Sequence, residues 1–168
     1  MNITLSKVKF IEEMSTDTNC FSATVSINGV QQFIVSNNGQ GGDDQQEPIV
    51  PGDVGYVKMR HGIKLIEDYA KSLPMEDVDG YKIQPTMDIL IGDAFNAWLD
   101  EREKKKFGVK LQSKIMTQEN GKCYSYRVPP GVDPVDPKYM DAFILRHPGI
   151  KILNLLPLDE AWKIVKGK

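Results

Sequence analysis

The sequence is poor in the residues that build disulfide frameworks, metal centres and membrane spans. Its 168 residues include two cysteines and two histidines, too few for a disulfide scaffold or a zinc site of ordinary ligand spacing. No stretch approaches the roughly 18 apolar residues that a spanning helix needs, and the N-terminus lacks a basic segment followed by an apolar one. We therefore expect a cytoplasmic protein with no membrane partner and with free thiols at Cys20 and Cys123.

The composition predicts one ordinary folded domain. Hydrophobic residues make up 40% of the chain and charged residues 26%, with a net charge of −2, which is typical of soluble globular proteins. A chain near the usual length of about 150 residues per domain can build one core without staples. The order of predicted elements indicates a single α+β domain over residues 1–168, with antiparallel hairpins packed against two to four helices.

The first half of the chain begins with predicted strands. The pattern over residues 3–10 predicts a strand, and residues 20–27 alternate apolar and polar side chains before Asn28-Gly29, which predicts a hairpin. A two-residue loop would pair Val25 with Gln32. We prefer a three-residue loop, which pairs Phe21 with Val35 and Ala23 with Phe33, because it puts the large apolar groups on one face.

A polar segment follows the hairpin, and helices follow the segment. Residues 37–48 hold no apolar side chain, so we expect a flexible loop near 37–53, ordered only by a partner. Helical spacing predicts helices over Gly62 to Leu73 and Thr86 to Phe107, with Thr86 as N-cap. The second helix carries an apolar stripe that we expect in the core: Met87, Leu90, Ile91, Ala94, Phe95 and Trp98.

The second half of the chain is predicted to contain a hairpin, a short helix, a strand and a final helix. The pattern over Val109 to Val128 predicts a hairpin with its turn at Asn120-Gly121. This hairpin pairs Ile115 with Tyr126 and Thr117 with Tyr124. Asp136 and Pro137 begin a short helix that ends at His147-Pro148. A strand over Ile150 to Leu155 and a final helix from Pro157 complete the chain.

Charge is distributed unevenly along the chain. Residues 1–84 carry a net charge of −5 and residues 85–168 a net charge of +3. Eight basic and two acidic residues lie between Arg102 and Arg127. In the predicted hairpin Lys110, Lys114 and Arg127 share one face, with Lys114 directly opposite Arg127, an unfavourable pairing unless an acidic group is near. The explanations are an anionic ligand or partner, an intramolecular carboxylate from the acidic half of the chain, or simple solvation of the charges.

The search for chemistry yields ligand-binding candidates and no catalytic or metal-binding residue. The candidates are Lys110, Lys114 and Arg127 on the basic face and Asn38, Gly39, Gly41 and Gly42, whose backbone amides could contact an anion. Asp43 and Asp44 follow the glycines where a phosphate loop needs lysine and serine or threonine. No motif indicates a cofactor. A metal-dependent hydrolase or nuclease using Asp43, Asp44, Glu47 and His61 is a third alternative.

Several segments together carry a resemblance. These segments are Phe21 to Gly29, Val35 to Gly42, and the C-terminal Pro148-Gly149, Asn154 to Pro157 and Glu160-Ala161. They resemble small uncharacterised proteins of tailed bacteriophages and prophages. The resemblance implies an accessory protein that acts in the host cytoplasm, and it brings no activity or site residues with it.

Our leading interpretation is accordingly a phage-type protein without catalytic function. It would bind a host protein or other macromolecule, or a small anionic, nucleotide-like ligand, for instance to counter host defence. The alternative is a nucleic-acid-binding module that uses the Arg102 to Arg127 region, although Tyr124 and Tyr126 fall on the apolar side of the hairpin. A homo-oligomer is compatible with either interpretation.

Overall fold

The computed structural model describes residues 1–167 and has the predicted α+β fold, with antiparallel sheets and, among these residues, four α-helices. Residue contacts group the chain into two compact units, Met1–Trp98 and Leu99–Lys168. The single-domain organisation stays a prediction.

A four-stranded antiparallel sheet forms the centre of the first unit. Its strands, in spatial order, are β1 (Ile3–Phe10), β2 (Cys20–Ile27), β3 (Val30–Asn38) and β4 (Gln45–Glu47). The apolar residues of the alternating β2 pattern are buried together with their partners on β3, since Val25, Phe33 and Val35 have no exposed surface. The strand predictions for residues 3–10 and 20–27 are therefore confirmed.

The predicted loop between β2 and β3 is one residue too long. The prediction that the large apolar side chains share one face is nevertheless confirmed. The turn has two residues, Asn28 at φ +49° and Gly29 at φ +83°, the pair of positive φ values that a type I′ turn requires. A bulge at Gln32 then shifts the register, so that Phe33 pairs with Val25 and not with Ala23, and Val35 pairs with Ala23 and not with Phe21; the predicted pairs are wrong. The extra residue in β3 returns the large apolar side chains to one face.

A second bulge bends β1. Leu5 pairs with Val25, but the register shifts between Ser6 and Lys9, so that Phe10 pairs with Phe21. Lys7 has φ +52° within this bulge. Simple alternation would put Phe10 on the face opposite Leu5, whereas the bulge brings it to the same face, where its ring lies 5.3 Å from that of Phe95.

The first helix is much longer than predicted. Helix α1 spans Asp53–Ser72, so it begins nine residues before the expected Gly62. Gly62 is buried inside the helix, and a Cβ there would lie 2.7 Å from the Cβ of Gln32 on β3. The low helix propensity of glycine predicts a boundary at this position, but here the glycine allows close contact with the sheet.

A small hairpin and a long helix complete the first unit. Strands β5 (Glu76–Val78) and β6 (Tyr81–Ile83) form an exposed two-stranded hairpin. Helix α2 (Met87–Ser113) starts after Thr86, whose hydroxyl accepts a hydrogen bond from the Ile89 amide. Within the predicted stripe Ile91 and Phe95 are buried, whereas the remaining four side chains are half-buried.

The second unit contains a three-stranded antiparallel sheet in the order β8-β7-β9. Its elements are the end of α2, β7 (Lys114–Glu119), β8 (Lys122–Arg127), α3 (Pro137–Arg146), β9 (Lys151–Ile152), a 3-10 helix (Leu153–Leu155) and α4 (Leu158–Val165). The predicted pairing of Ile115 with Tyr126 and of Thr117 with Tyr124 is confirmed. The predicted strand over residues 150–155 is confirmed only at Lys151–Ile152, because the chain then turns into the 3-10 helix.

Two apolar clusters hold this unit together. The first joins the sheet to α3 through Ile115, Met140, Phe143 and Ile152, and the second contains Phe107, Leu153 and Ala161. Helix α3 begins as predicted, because the Asp136 side chain accepts from the Tyr139 amide and Pro137 occupies the first turn. The clusters fix the β7–β8 hairpin and therefore the positions of its basic residues.

Candidate functional site

The basic candidates lie at the junction of α2 with β7 and β8. Lys114 is the first residue of β7 and Arg127 the last of β8, and they pair directly, as predicted. Lys110 is not on the hairpin, because α2 continues through Gly108 to Ser113 and places Lys110 in its last turn. The prediction that all three residues share a strand face is therefore wrong for Lys110.

The ladder geometry brings Lys114 and Arg127 close together. Asn120 and Gly121 have φ +50° and +77°, so Glu119 and Lys122 close a two-residue turn as a hydrogen-bonded pair. Hydrogen-bonded and non-hydrogen-bonded pairs then alternate, and the Lys114–Arg127 pair belongs to the second kind, in which the side chains are closer. Two positive charges thus occupy the tighter type of cross-strand position.

Asn154 supports this assignment from the other side of β7. Its Oδ1 accepts from the Met116 amide at 2.7 Å, and its Nδ2 donates to the carbonyls of Leu111 and Lys114, each at 2.8 Å. The Met116 amide and the Lys114 carbonyl therefore face away from β8. One side chain holds both the end of α2 and the start of β7, which fixes the backbone of Lys114.

Carboxylates neutralise part of the basic run but not this pair. Lys104 Nζ lies 2.6 Å from Asp159, and this hydrogen bond raises the pKa of Lys104. Lys106 Nζ lies 2.8 Å from Glu103. Within residues 1–167 no carboxylate lies within 4.0 Å of the charged nitrogens of Lys114 or Arg127. The intramolecular carboxylate that sequence reasoning offered as one explanation is not found there.

The two faces of the hairpin differ in chemistry. Lys114, Gln118, Ser125 and Arg127 share one face with Met116 and Cys123, and the pairing of Lys151 with Gln118 adds a further lysine from β9. Tyr126 lies on the opposite face, with its ring 5.0 Å from Phe143 and 5.2 Å from His147. The face with the basic residues therefore has no aromatic side chain from β7 or β8 on which a base could stack.

The glycine-rich candidates belong to the first unit, where the backbone is already hydrogen-bonded. The Gly39 carbonyl accepts from the amides of Thr16 and Asp17, each at 3.0 Å, and from the Thr16 hydroxyl at 2.7 Å. The Gly39 amide donates to Asn37 Oδ1 at 2.9 Å, and the Gly41 amide donates to the Thr18 hydroxyl at 3.3 Å. The Gly39 and Gly41 amides are therefore taken up by Asn37 and Thr18 and are not free to contact an anion.

Further polar contacts order the same segment. Asn38 Oδ1 accepts from the Gln40 amide, and the buried Asn37 side chain donates to the Gly42 carbonyl and to Asp44. Gln45–Glu47 then pairs with β3 as strand β4. The expectation of an irregular loop over residues 37–53 is thus wrong for this strand, because hydrogen bonds replace the apolar burial that the composition lacks.

Three carboxylates meet at a cleft of about 270 Å³ in the first unit. Asp43, Asp44 and Asp88 line it together with the rings of Phe21 and Phe95. Burial raises the pKa of Asp44 against the lowering effect of its hydrogen bond from Asn37, and Asp43 adds to the rise. Burial also raises the pKa of Asp88, with added repulsion from Asp44 and Asp43. Sequence reasoning missed Asp88, which lies 44 residues beyond Asp44.

The third alternative, a metal-dependent hydrolase or nuclease, gains no support from this cleft. His61 is exposed on α1 and Glu47 is exposed on β4, and neither lines the cleft. Across residues 1–167 no group of three or more histidine, cysteine, aspartate or glutamate side chains is arranged to hold a metal ion. Cys20 is buried and Cys123 exposed, and both are free thiols.

Comparison with protein-family models, curated proteins and solved structures finds no match to this chain. No helix among the described residues is long and apolar enough to cross a membrane.

Proposed function

We propose that this chain is a non-enzymatic binding protein that takes an anionic partner at Lys114 and Arg127. The observation that carries the proposal is their direct cross-strand pairing without a carboxylate in reach among the described residues. Like charges directly opposed on a ladder are unfavourable, and an anion between them would reverse the sign of that interaction. The guanidinium of Arg127 offers two parallel donors to a carboxylate or phosphate, and Lys114 adds a point charge.

The anchoring of this pair also supports a binding role. Asn154 fixes the Lys114 backbone, and the Tyr126–Phe143 contact fixes the strand that ends at Arg127. The backbone at both cations is therefore set before binding, so that only side-chain freedom is lost when an anion binds. The partner in this proposal is a host macromolecule or a small nucleotide-like anion.

The phage-type accessory role is part of the same proposal. The resemblance of the hairpin and C-terminal segments to phage proteins supports action in the host cytoplasm, for instance against host defence. Both thiols would remain reduced in that compartment. Nucleic acid is a less favoured partner, because the face of Lys114 and Arg127 lacks an aromatic from β7 or β8 on which bases could stack.

A titration of anionic probes under varied salt tests the proposal. We would measure binding of tripolyphosphate, poly-glutamate and single-stranded DNA to the full chain and to the double variant Lys114→Gln/Arg127→Gln. Loss of both charges should weaken binding about tenfold or more, and added salt should weaken binding to the unaltered protein.

A matched control separates this pair from net charge. The double variant Lys64→Gln/Lys82→Gln removes the same charge from exposed positions of the first unit and should leave affinity within about twofold. Equal loss in both double variants, or no binding of any probe at low salt, would contradict the proposal.

A further inference from the structure

Strand β8 is an open edge of its sheet. Among residues 1–167 the strand order β8-β7-β9 gives β8 a single neighbour, and each residue of β8 except Tyr126 is exposed. An edge strand carries unpaired amide and carbonyl groups, which can pair with an added strand from another chain.

The register identifies which backbone groups point outward. Tyr124 and Tyr126 belong to the hydrogen-bonded pairs with β7, because the alternation begins at the Glu119–Lys122 pair beside the turn. Cys123, Ser125 and Arg127 therefore direct their amides and carbonyls away from β7. The Asn154 contacts agree, since the Met116 amide and Lys114 carbonyl also face away from β8.

Charge decides which kind of strand fits this edge. Lys122 and Arg127 lie at its two ends, and Lys114 stands beside Arg127. In the antiparallel register that pairs the outward residues of two β8 copies, Ser125 lies opposite Ser125 and Arg127 opposite Cys123, so self-pairing brings no carboxylate to Arg127 or Lys114. The same charges favour a strand that carries carboxylates.

We propose that the β8 edge binds an extended acidic segment of a partner protein as an additional β-strand. The amides and carbonyls of Cys123, Ser125 and Arg127 would form the new ladder, and carboxylates on one face of the segment would contact Arg127 and Lys114. This inference rests on the proposed function and deepens it, because it defines the partner as protein and the binding mode as strand addition.

The first test measures which amides the partner covers. The probe is a blocked heptapeptide of sequence Glu-Val-Glu-Thr-Glu-Val-Glu, added to the isotope-labelled full chain for NMR and amide exchange. At saturation the Cys123, Ser125 and Arg127 amides should exchange about tenfold more slowly, while the Tyr124 and Tyr126 amides, already in the ladder, should change little. Absence of peptide binding, or protection without this alternation, would overturn the inference.

The second test separates strand addition from simple charge attraction. Ser125→Pro removes one outward amide without removing a β7–β8 hydrogen bond and should weaken peptide binding about tenfold, whereas Ser125→Ala should change it by less than about twofold. A peptide of the same sequence methylated on every backbone nitrogen gives the same comparison on unaltered protein, which covers the case of a misfolded proline variant.

The outcomes distinguish the two proposals. If the methylated and unmethylated peptides bind equally and Lys114→Gln/Arg127→Gln abolishes both, strand addition is overturned and the proposed function stands. Binding of single-stranded DNA alone at this face would have the same meaning. If no anionic probe binds, both proposals fall.

Discussion

The side-chain amide of Asn154 donates to the carbonyl of Lys114 at 2.8 Å, across 40 residues of sequence. This contact, with those to Leu111 and Met116, ends a 27-residue helix and begins a strand at adjacent positions. The position of the candidate anion-binding lysine thus depends on a residue from the far end of the chain.

We expect Asn154→Ala to destabilise the protein by about 2 kcal/mol, because it leaves three partly buried backbone groups without their partner. Asn154→Asp should cost more, since a carboxylate would face two carbonyl oxygens. Denaturant titration measures both losses, and Asn96→Ala, at an exposed position of α2, serves as control. Equal stability of the Asn154 and Asn96 variants would show that the three hydrogen bonds contribute little.

Two glycines of the polar segment should respond very differently to alanine. Gly39 has φ +82°, and a Cβ there would lie 2.1 Å from the Met14 carbonyl oxygen. Gly39→Ala should therefore cost about 3 kcal/mol or more, from both strain and displaced backbone. Gly42 has φ +92°, but a Cβ added there would have no other atom within 4 Å, so Gly42→Ala should cost only about 1 to 2 kcal/mol. Thermal unfolding of the pair checks this difference.

Two glycines inside the two long helices should change stability in opposite directions when they are replaced by alanine. Gly92→Ala in α2 places its methyl group in open space and should stabilise the protein by about 0.5 to 1 kcal/mol through helix propensity. Gly62→Ala in α1 gains the same propensity but brings its Cβ to 2.7 Å from that of Gln32. We expect Gly62→Ala to lower the free energy of unfolding, measured in urea. A higher free energy of unfolding would mean that β3 moves away from the helix at little cost.

The Asp88 carboxyl should make stability fall as pH rises. Its folded pKa is raised above the ordinary 3.8 by burial and by its acidic neighbours. The folded state therefore holds the proton more tightly, and the stability this gives is present below pH 3.8 and lost as pH rises through the folded pKa. Asp88→Asn should remove this part of the pH dependence. Asp93→Asn, exposed on the same helix, should leave it in place, and identical pH profiles for all three proteins would contradict the assignment.

The strands and turns are predictable where local rules decide them. The alternation of β2, the Asn120-Gly121 turn and the Asp136-Pro137 helix start each depend on a few neighbouring residues. The two β-bulges are not predictable, because nothing at Lys7 or Gln32 marks the extra residue. Both bulges instead reflect the gain from gathering Phe10, Phe33 and their partners on one face of the sheet.

The predicted helix boundaries are wrong for a related reason. Gly62 and Gly108 have low helix propensity, which favours helix ends, but both lie inside helices because tertiary contacts outweigh about 1 kcal/mol of propensity. For the candidate site, the Lys114–Arg127 pairing follows from the turn alone. The position of Lys110 does not, since it depends on Asn154, and Asp88 joins Asp44 only through the fold.

The bulge at Gln32 also indicates where the chain can change in length. Gln32 is the residue of β3 without a partner on β2, so its deletion would leave every other β2–β3 pair matched as before. Deletion of a paired residue of β3 beyond Phe33 would instead turn the side chains that follow it to the opposite face. A relative shorter by one residue in this hairpin would therefore be expected to lack the residue equivalent to Gln32. Its helix would then be free to carry a larger side chain than glycine at position 62, where the Gln32 side chain now excludes one.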